Sequence, residues 1–190
     1  MTRTVAWFSC GIASTIAAKL ALAHDPQTVV AYCDTSADEH PDNERYISDC
    51  ERWLNTSITR IRSDRYSNVD EVISARRFMS GIVGAPCTVE LKKRPRFAFQ
   101  RPDDVQVFGY TVEETGRAER LQANDPGVTF WFPLIEQQIG KADCHAALAA
   151  AGITQPAMYQ LGYNNNNCLG CVKASSATYW NRIRRDFPDV

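Results

Sequence analysis

No apolar run in this sequence approaches the ~20 residues that a membrane span needs. Nor does Met1-Thr2-Arg3-Thr4-Val5 resemble a signal peptide's apolar stretch; it runs straight into a strand-like segment. No membrane partner and a cytoplasmic location are therefore expected. Net charge is only -1, so no global field attracts nucleic acid. Histidine is scarce, at three residues, and no Ser–His–Asp arrangement emerges. No Gly-Lys-Ser/Thr follows the first strand-like run, which excludes a Walker P-loop. Internal repeats and long linkers are also lacking, so the 190 residues are expected to form one domain, 1–190, ending in a segment 164–190.

Cysteine runs against this scarcity. Seven cysteines is an odd number, scattered rather than spaced as a framework, and in a reducing compartment that favours metal or catalytic roles over disulfides. The densest signal is Asn164-Asn165-Asn166-Asn167-Cys168-Leu169-Gly170-Cys171. Two thiols three residues apart among turn-formers suit a soft metal centre or a redox disulfide. Positive charge is local, at Lys92-Lys93-Arg94-Pro95-Arg96 and at Arg182, Arg184 and Arg185. Such runs read either as solvated helix faces or as anion sites.

Strand-like and helix-like segments alternate. Strands are predicted at Val5–Phe8, Thr28–Tyr32, Ile58–Ile61, Val105–Gly109 and Thr129–Phe132. Helices are predicted at Ser14–His24, Asp42–Leu54 with Asp42 as N-cap, and from Asn68 to Met79. Others follow from Thr88 to a break near Pro95, then at Glu113–Leu121, Lys141–Ala151 and Ser175–Asp186. The alternation argues for an α/β fold with a largely parallel sheet flanked by helices.

The first strand ends in Ser9-Cys10-Gly11-Ile12-Ala13-Ser14-Thr15 and opens a helix. Unpaired N–H groups at a helix start, with small residues and hydroxyls around them, are suited to phosphate. A serine-capped strand-to-helix turn is the plain alternative. Cys10 lies where helix N–H groups would lower a thiol pKa, so it reads as a reactive thiol or as a small loop residue. Cys33, Cys50 and Cys144 read as packing thiols. Arg117 and Arg120 share a helix face and suit phosphate, or pairing with Glu113, Glu114 and Glu119. Trp180 with Arg182, Arg184 and Arg185 would suit a nucleic-acid strand, or an ordinary amphipathic helix.

Ser9-Cys10-Gly11-Ile12-Ala13-Ser14 resembles the Ser-Gly-Gly-x-Asp-Ser loop of the PP-loop ATP pyrophosphatases. With Tyr32-Cys33-Asp34-Thr35, His40-Pro41-Asp42-Asn43-Glu44-Arg45-Tyr46, Gly109-Tyr110 with Glu113, Glu114, Arg117 and Arg120, and Phe132-Pro133-Leu134-Ile135, the chain resembles the phosphoadenosine phosphosulfate (PAPS) reductase family. It is closest to small members lacking the reductase tail, since Phe187-Pro188-Asp189-Val190 stands in place of a Glu-Cys-Gly-Leu-His motif. The resemblance implies a Rossmann-like PP-loop architecture and ATP or another adenine nucleotide as ligand. Ser9, Gly11, Ser14 and Thr15 would hold phosphate, and Asp34 and Thr35 would lie near the adenosine. Gly109, Arg117 and Arg120 would complete the site, with Cys10 and Asp34 as catalytic candidates. Ala13 replaces the acidic residue of the pattern, which weakens Mg²⁺-assisted adenylation.

The resemblance also implies cluster ligands at Cys87, Cys168 and Cys171, three thiolates suited to a [4Fe-4S] cluster with one open iron. Zn²⁺ with His145 or Cys144 as fourth ligand is the alternative. Three functions follow. The first is ATP-dependent sulfur transfer to a nucleic-acid or small-molecule acceptor, fed by a sulfur or electron donor. The second is PAPS reduction, and the third a non-catalytic nucleotide-binding or redox-sensing module. A homo-oligomer is compatible with all three.

Overall fold

The computed structural model describes residues 2–82 and 84–190. Five parallel strands form one sheet in the order β3-β2-β1-β4-β5. They are β1 (Thr4–Phe8), β2 (Val29–Cys33), β3 (Thr59–Ile61), β4 (Val105–Phe108) and β5 (Thr129–Trp131). Parallel strands are covered on both faces, which is why β1 reads Thr-Val-Ala-Trp-Phe and is buried along its whole length. The chain winds outward from β1 through β2 to β3, then returns to β4 on the other side. This reversal opens a crevice beyond the carboxyl ends of β1 and β4, the usual ligand position in such sheets.

On one sheet face, α1 (Ile12–His24) packs with α2 (Asn43–Leu54) and α7 (Lys141–Ala150). Ala17, Ala18 and Ala21 of α1 are wholly buried, and their small size lets the helix lie close to Ala6, Val30 and Val107. The opposite face buries Val5, Trp7 and Ala31 beneath Phe99 and Phe108. There the Trp7 Nε1 donates to Gln106 Oε1 at 2.5 Å, which satisfies the indole N–H inside the core.

Helix α3 (Val69–Arg76) begins as expected, with the Asn68 side chain accepting from the Glu71 N–H. Asp42 stands at the N-cap position of α2 but makes no side-chain cap. Its carboxylate instead accepts from the Ala157 N–H at 2.8 Å and pairs with Arg45, tying α2 to the C-terminal third of the chain. Pro95 is no breaker. A π-helical segment, Thr88–Lys93, passes directly into α4 (Arg94–Phe99), and Pro95 sits in the first turn of α4 without ending the helix.

The remaining helices are α5 (Thr115–Asn124), α6 (Pro133–Glu136), α8 (Ala157–Gln160) and α9 (Ala177–Asp186). A small third cluster of Met158, Tyr163 and Ile183 anchors α8 and α9. Two bonds dock the Cys168–Cys171 loop on the main body: the Leu169 N–H donates to Asp38 O, and Ser80 Oγ donates to Val172 O, both at 2.8 Å. Among the described residues no helix is long and apolar enough to cross a membrane.

Candidate nucleotide site

The crevice between β1 and β4 holds a cavity of about 410 Å³. Its floor is the loop from β1 into α1. The end of β4 reaches that loop because residue 109 is glycine: a Cβ there would lie 2.5 Å from Ser14 Cα and 2.7 Å from Ser14 N. Both are backbone atoms of the α1 start, so any side chain at 109 would force strand and helix apart. The cavity's lining includes the aromatic side chains of Trp7, Phe108 and Tyr110 and the asparagine run 164–167.

Gly11 precedes the first helical residue and offers no side-chain cap, so the opening N–H groups of α1 lack intrahelical partners. Thr15 N–H makes the first bond back to Gly11 O at 3.1 Å. Burial raises the Tyr159 hydroxyl's pKa, against the N–H groups of Ile12 and Asn166 directed at it. That leaves the N–H groups of Ala13 and Ser14 for an anion. Ser14 Oγ donates to Gly11 O at 2.8 Å and accepts from both the N–H and the hydroxyl of Ser9 at 3.1 Å. The loop is thus preorganised by its own hydroxyls.

Cys10 adopts φ 54°, a left-handed conformation that favours glycine. The Asn166 Nδ2 holds that turn by donating to Cys10 O at 2.7 Å. The same amide donates to Asn43 Oδ1 at 2.8 Å, while Asn43 Nδ2 donates to Glu39 Oε2 at 2.7 Å. Glu39 is buried and also accepts from the Tyr32 and Thr35 hydroxyls. Because a carboxylate only accepts, it fixes the polarity of both amides in this chain. Residues 39, 43 and 166 therefore clamp the loop from β1 into α1, to which none of them belongs.

Five cations border the cavity: Lys92, Lys93, Arg96, Lys141 and Arg117. Lys92 stands 3.9 Å from Glu39, and its side chain is 45% exposed, as befits an open cleft. Burial would lower its ammonium, but Cys168, Glu39, Cys33 and Cys10 around it outweigh that and hold it above its ordinary value. Arg96 lies over the Phe97 ring at 4.7 Å and the Phe108 ring at 5.3 Å. Its Nε is buried without a hydrogen-bond partner. Among the described residues no carboxylate pairs with Arg96 or Lys93. A half-buried guanidinium with no counter-ion lowers its cost when an anion enters.

Of the site residues expected from sequence, Ser9, Gly11, Ser14, Gly109 and Arg117 line the cavity. Thr15 does not: it is fully buried, and its hydroxyl turns into the core against Gly11 O and Tyr46. Thr35 is likewise buried, with its hydroxyl given to Glu39. Asp34 is bound by the Ser36 N–H and the Arg62 guanidinium. Burial raises its pKa, but these bonds outweigh it and hold the carboxyl below its ordinary range. Arg117 pairs with Glu114 and lies over the Tyr110 ring, while Arg120 sits exposed outside the cavity. Cys10 is wholly buried, and burial pushes its thiol well up rather than down, which favours the small loop residue over the reactive thiol.

The cavity lining includes residues not singled out for it: Trp7, Tyr32, Cys33, Tyr159 and Asn166. For Cys33 the signal was available. Strand side chains alternate, so Cys33 falls on the face of Trp7 and Ala31, where Lys92 and Arg96 arrive. Its thiol lies 3.3 Å from Lys92 O.

Cys87 and Cys168 each feel the charge of Cys171, so the three sulfurs share one neighbourhood. Among the described residues, however, no three His, Cys, Asp or Glu side chains converge closely enough to hold a metal ion. The donor chemistry suits an iron–sulfur cluster; the present spacing does not close around one. Cys144 and His145, the alternative zinc ligands, belong to α7 and line the cavity between β1 and β4.

Burial pushes the Cys33 thiol up to about 11 and the Cys168 thiol up to about 12. An ordinary thiol titrates near about 8.5. The folded chain therefore keeps protons that the unfolded chain loses. Stability present below about pH 8.5 is lost as pH climbs toward those raised values. The thermal midpoint of the reduced, metal-free chain is expected to fall steadily from about pH 8.5 to 10.5. A flat or rising midpoint across that window would contradict the burial of these thiols.

No protein-family model matches the chain, and no curated protein matches it. Solved structures do. PAPS reductase from Candida auris, in a phosphate complex, has a TM-score of 0.64 at 10% identity, over 90% of this chain and 83% of that one. NMN synthetase from Francisella tularensis has a TM-score of 0.53 at 14% identity, over 96% and 82%. U34-tRNA thiolase NcsA from Methanococcus maripaludis, with its [4Fe-4S] cluster, has a TM-score of 0.49 at 12% identity, over 98% and 67%. The first two establish a shared fold, a parallel-sheet α/β architecture flanked by helices.

Proposed function

We propose that this chain is an adenine-nucleotide-binding enzyme of the PP-loop ATP pyrophosphatase group that transfers sulfur. One observation carries the reading. A single cleft joins a preorganised phosphate loop, three basic side chains without a full set of counter-ions, and the Cys33 thiol, with the Cys168–Cys171 loop adjoining Lys92.

The chemistry this arrangement suits has two steps. An acceptor oxygen attacks the α-phosphorus of ATP, and the bond to pyrophosphate breaks. A hydrosulfide ion then attacks the activated carbon, its sulfur forms the new C–S bond, and AMP leaves with the oxygen. The Ala13 and Ser14 N–H groups hold the departing phosphates. Lys92, Lys93 and Arg96 offset charge building on them. Trp7 and Tyr110 offer faces for the base. Cys87, Cys168 and Cys171 are assigned to handling sulfur as thiols, and no step here runs through a cluster.

The test is turnover under anaerobic conditions, with iron and sulfide measured on the same sample. Pyrophosphate and AMP are expected from ATP when acceptor and sulfide are supplied. Sulfite released from PAPS, with no pyrophosphate from ATP, would overturn sulfur transfer in favour of reduction. Saturable nucleotide binding without any turnover would leave only a binding module.

A further inference from the structure

The asparagine run has two sides. Asn164, Asn165 and Asn167 line the nucleotide cavity and also a second cavity of about 530 Å³. We infer that this second cavity binds the phosphate group of a second substrate. The asparagine run would be the partition between that group and the nucleotide.

Three features of the lining carry the inference. Lys173 and Arg182 both border the cavity, and no aspartate or glutamate does. Arg182 donates to Gly162 O and lies over the Tyr163 ring at 5.3 Å, so its guanidinium is held in place at the wall. Lys173 takes part in no ion pair among the described residues. The second feature is a supply of uncommitted donors. Ser175, Thr178 and the amides of the three shared asparagines make no side-chain hydrogen bond within the chain among the described residues. A concave site with two cations, several free donors and no carboxylate favours an anion with several acceptor oxygens. The third is position: Cys171 also borders this cavity, and its N–H is held by the Tyr179 hydroxyl at 2.9 Å. A phosphate-bearing molecule anchored there would lie beside a thiol and one asparagine layer from the nucleotide.

As an anion site the second cavity stands alone; as the seat of the second substrate it rests on the nucleotide reading above. The two are tested separately. Amide spectra of the reduced, full-length chain would be followed during titration with inorganic phosphate, first without and then with saturating AMP. Saturable shifts are expected at Lys173, Ser175 and the asparagine side chains in both titrations. Lys173→Gln is expected to weaken that response ~10-fold and leave AMP affinity unchanged. Ser175→Asp, which adds a carboxylate at an exposed wall position, is expected to remove it.

Single-stranded oligonucleotides of increasing length then separate the sources of the phosphate. Affinity rising with length identifies a nucleic-acid acceptor, and affinity independent of length identifies a small phosphate ester. Absence of a saturable response at these residues, or a response unchanged in both variants, overturns the inference. Failure of AMP to bind would overturn the nucleotide reading alone, because the first titration needs no AMP.

Discussion

Asn166→Asp is expected to weaken ATP binding by ~100-fold or more, equivalent to about 2.7 kcal/mol. The reason lies in the fixed polarity around residue 166. Its Nδ2 serves two acceptors, Cys10 O at 2.7 Å and Asn43 Oδ1 at 2.8 Å. Asn43 cannot turn over to offer a donor, because its own Nδ2 is committed to the Glu39 carboxylate. Aspartate would set an oxygen against both acceptors at a position only 7% exposed. Each buried group left unpaired costs about 1–3 kcal/mol. The Cys10 carbonyl would lose the bond that steadies its left-handed turn, and the phosphate loop would lose its shape. Asn166→Ala removes the same bonds without adding charge, so a smaller loss is expected, ~10-fold in affinity. Calorimetric titration of the three proteins with ATP, beside their thermal midpoints, checks this. Aspartate and wild type binding within threefold of each other would mean that the clamp does not shape the loop.

Gly109→Ala is expected to eliminate measurable nucleotide binding and to destabilise the fold by about 3 kcal/mol. The added Cβ would meet Ser14 Cα at 2.5 Å, Ser14 N at 2.7 Å and Ala13 C at 2.8 Å. All three are backbone atoms at the start of α1, so no side chain can swing aside. Relief requires the end of β4 to move away from the helix N-terminus, which opens the floor of the cavity. Gly127→Ala is the control, since a Cβ there meets nothing within 4 Å. It is expected to change stability by less than about 0.5 kcal/mol and binding not at all. Equal behaviour of the two variants in denaturant titration would remove the close approach of β4 and α1 from the account.

The strands and their alternation with helices were readable because each is a short apolar run closed by turn residues. Val5-Ala6-Trp7-Phe8 needs no partner to be recognised as doubly covered. The turn from β1 into α1 was readable for the same local reason: strand, small residues and helix follow one another directly. Directions of individual hydroxyls were not. Thr15 lies one turn beyond Gly11, and only the packing of α1 on α2 shows that it faces Tyr46 rather than the cavity. Pro95 was misread because a π-helical segment precedes it; the helix changes its winding there and continues.

Asn166 was out of reach for a different reason. It read as one turn-former among four, yet its partners stand 123 and 156 positions earlier. No local pattern records such a contact. The thiols show the opposite case: motif resemblance singled out residues 87, 168 and 171, while the spacing between their sulfurs is a property of the folded loops alone. For Arg96, the basic run was visible, but its lack of a counter-ion emerges only once the neighbouring rings are in place.

The central claim is that the cleft between β1 and β4 seats an adenine nucleotide with its phosphates on the loop from Ser9 to Ser14. Its most direct test is titration of ATP into the reduced chain, followed by the backbone amide signals of that loop. One molecule of ATP per chain is expected to shift the Ala13 and Ser14 amides saturably. If those amides stay fixed, or the saturable shifts fall elsewhere on the chain, the cleft is not the nucleotide site.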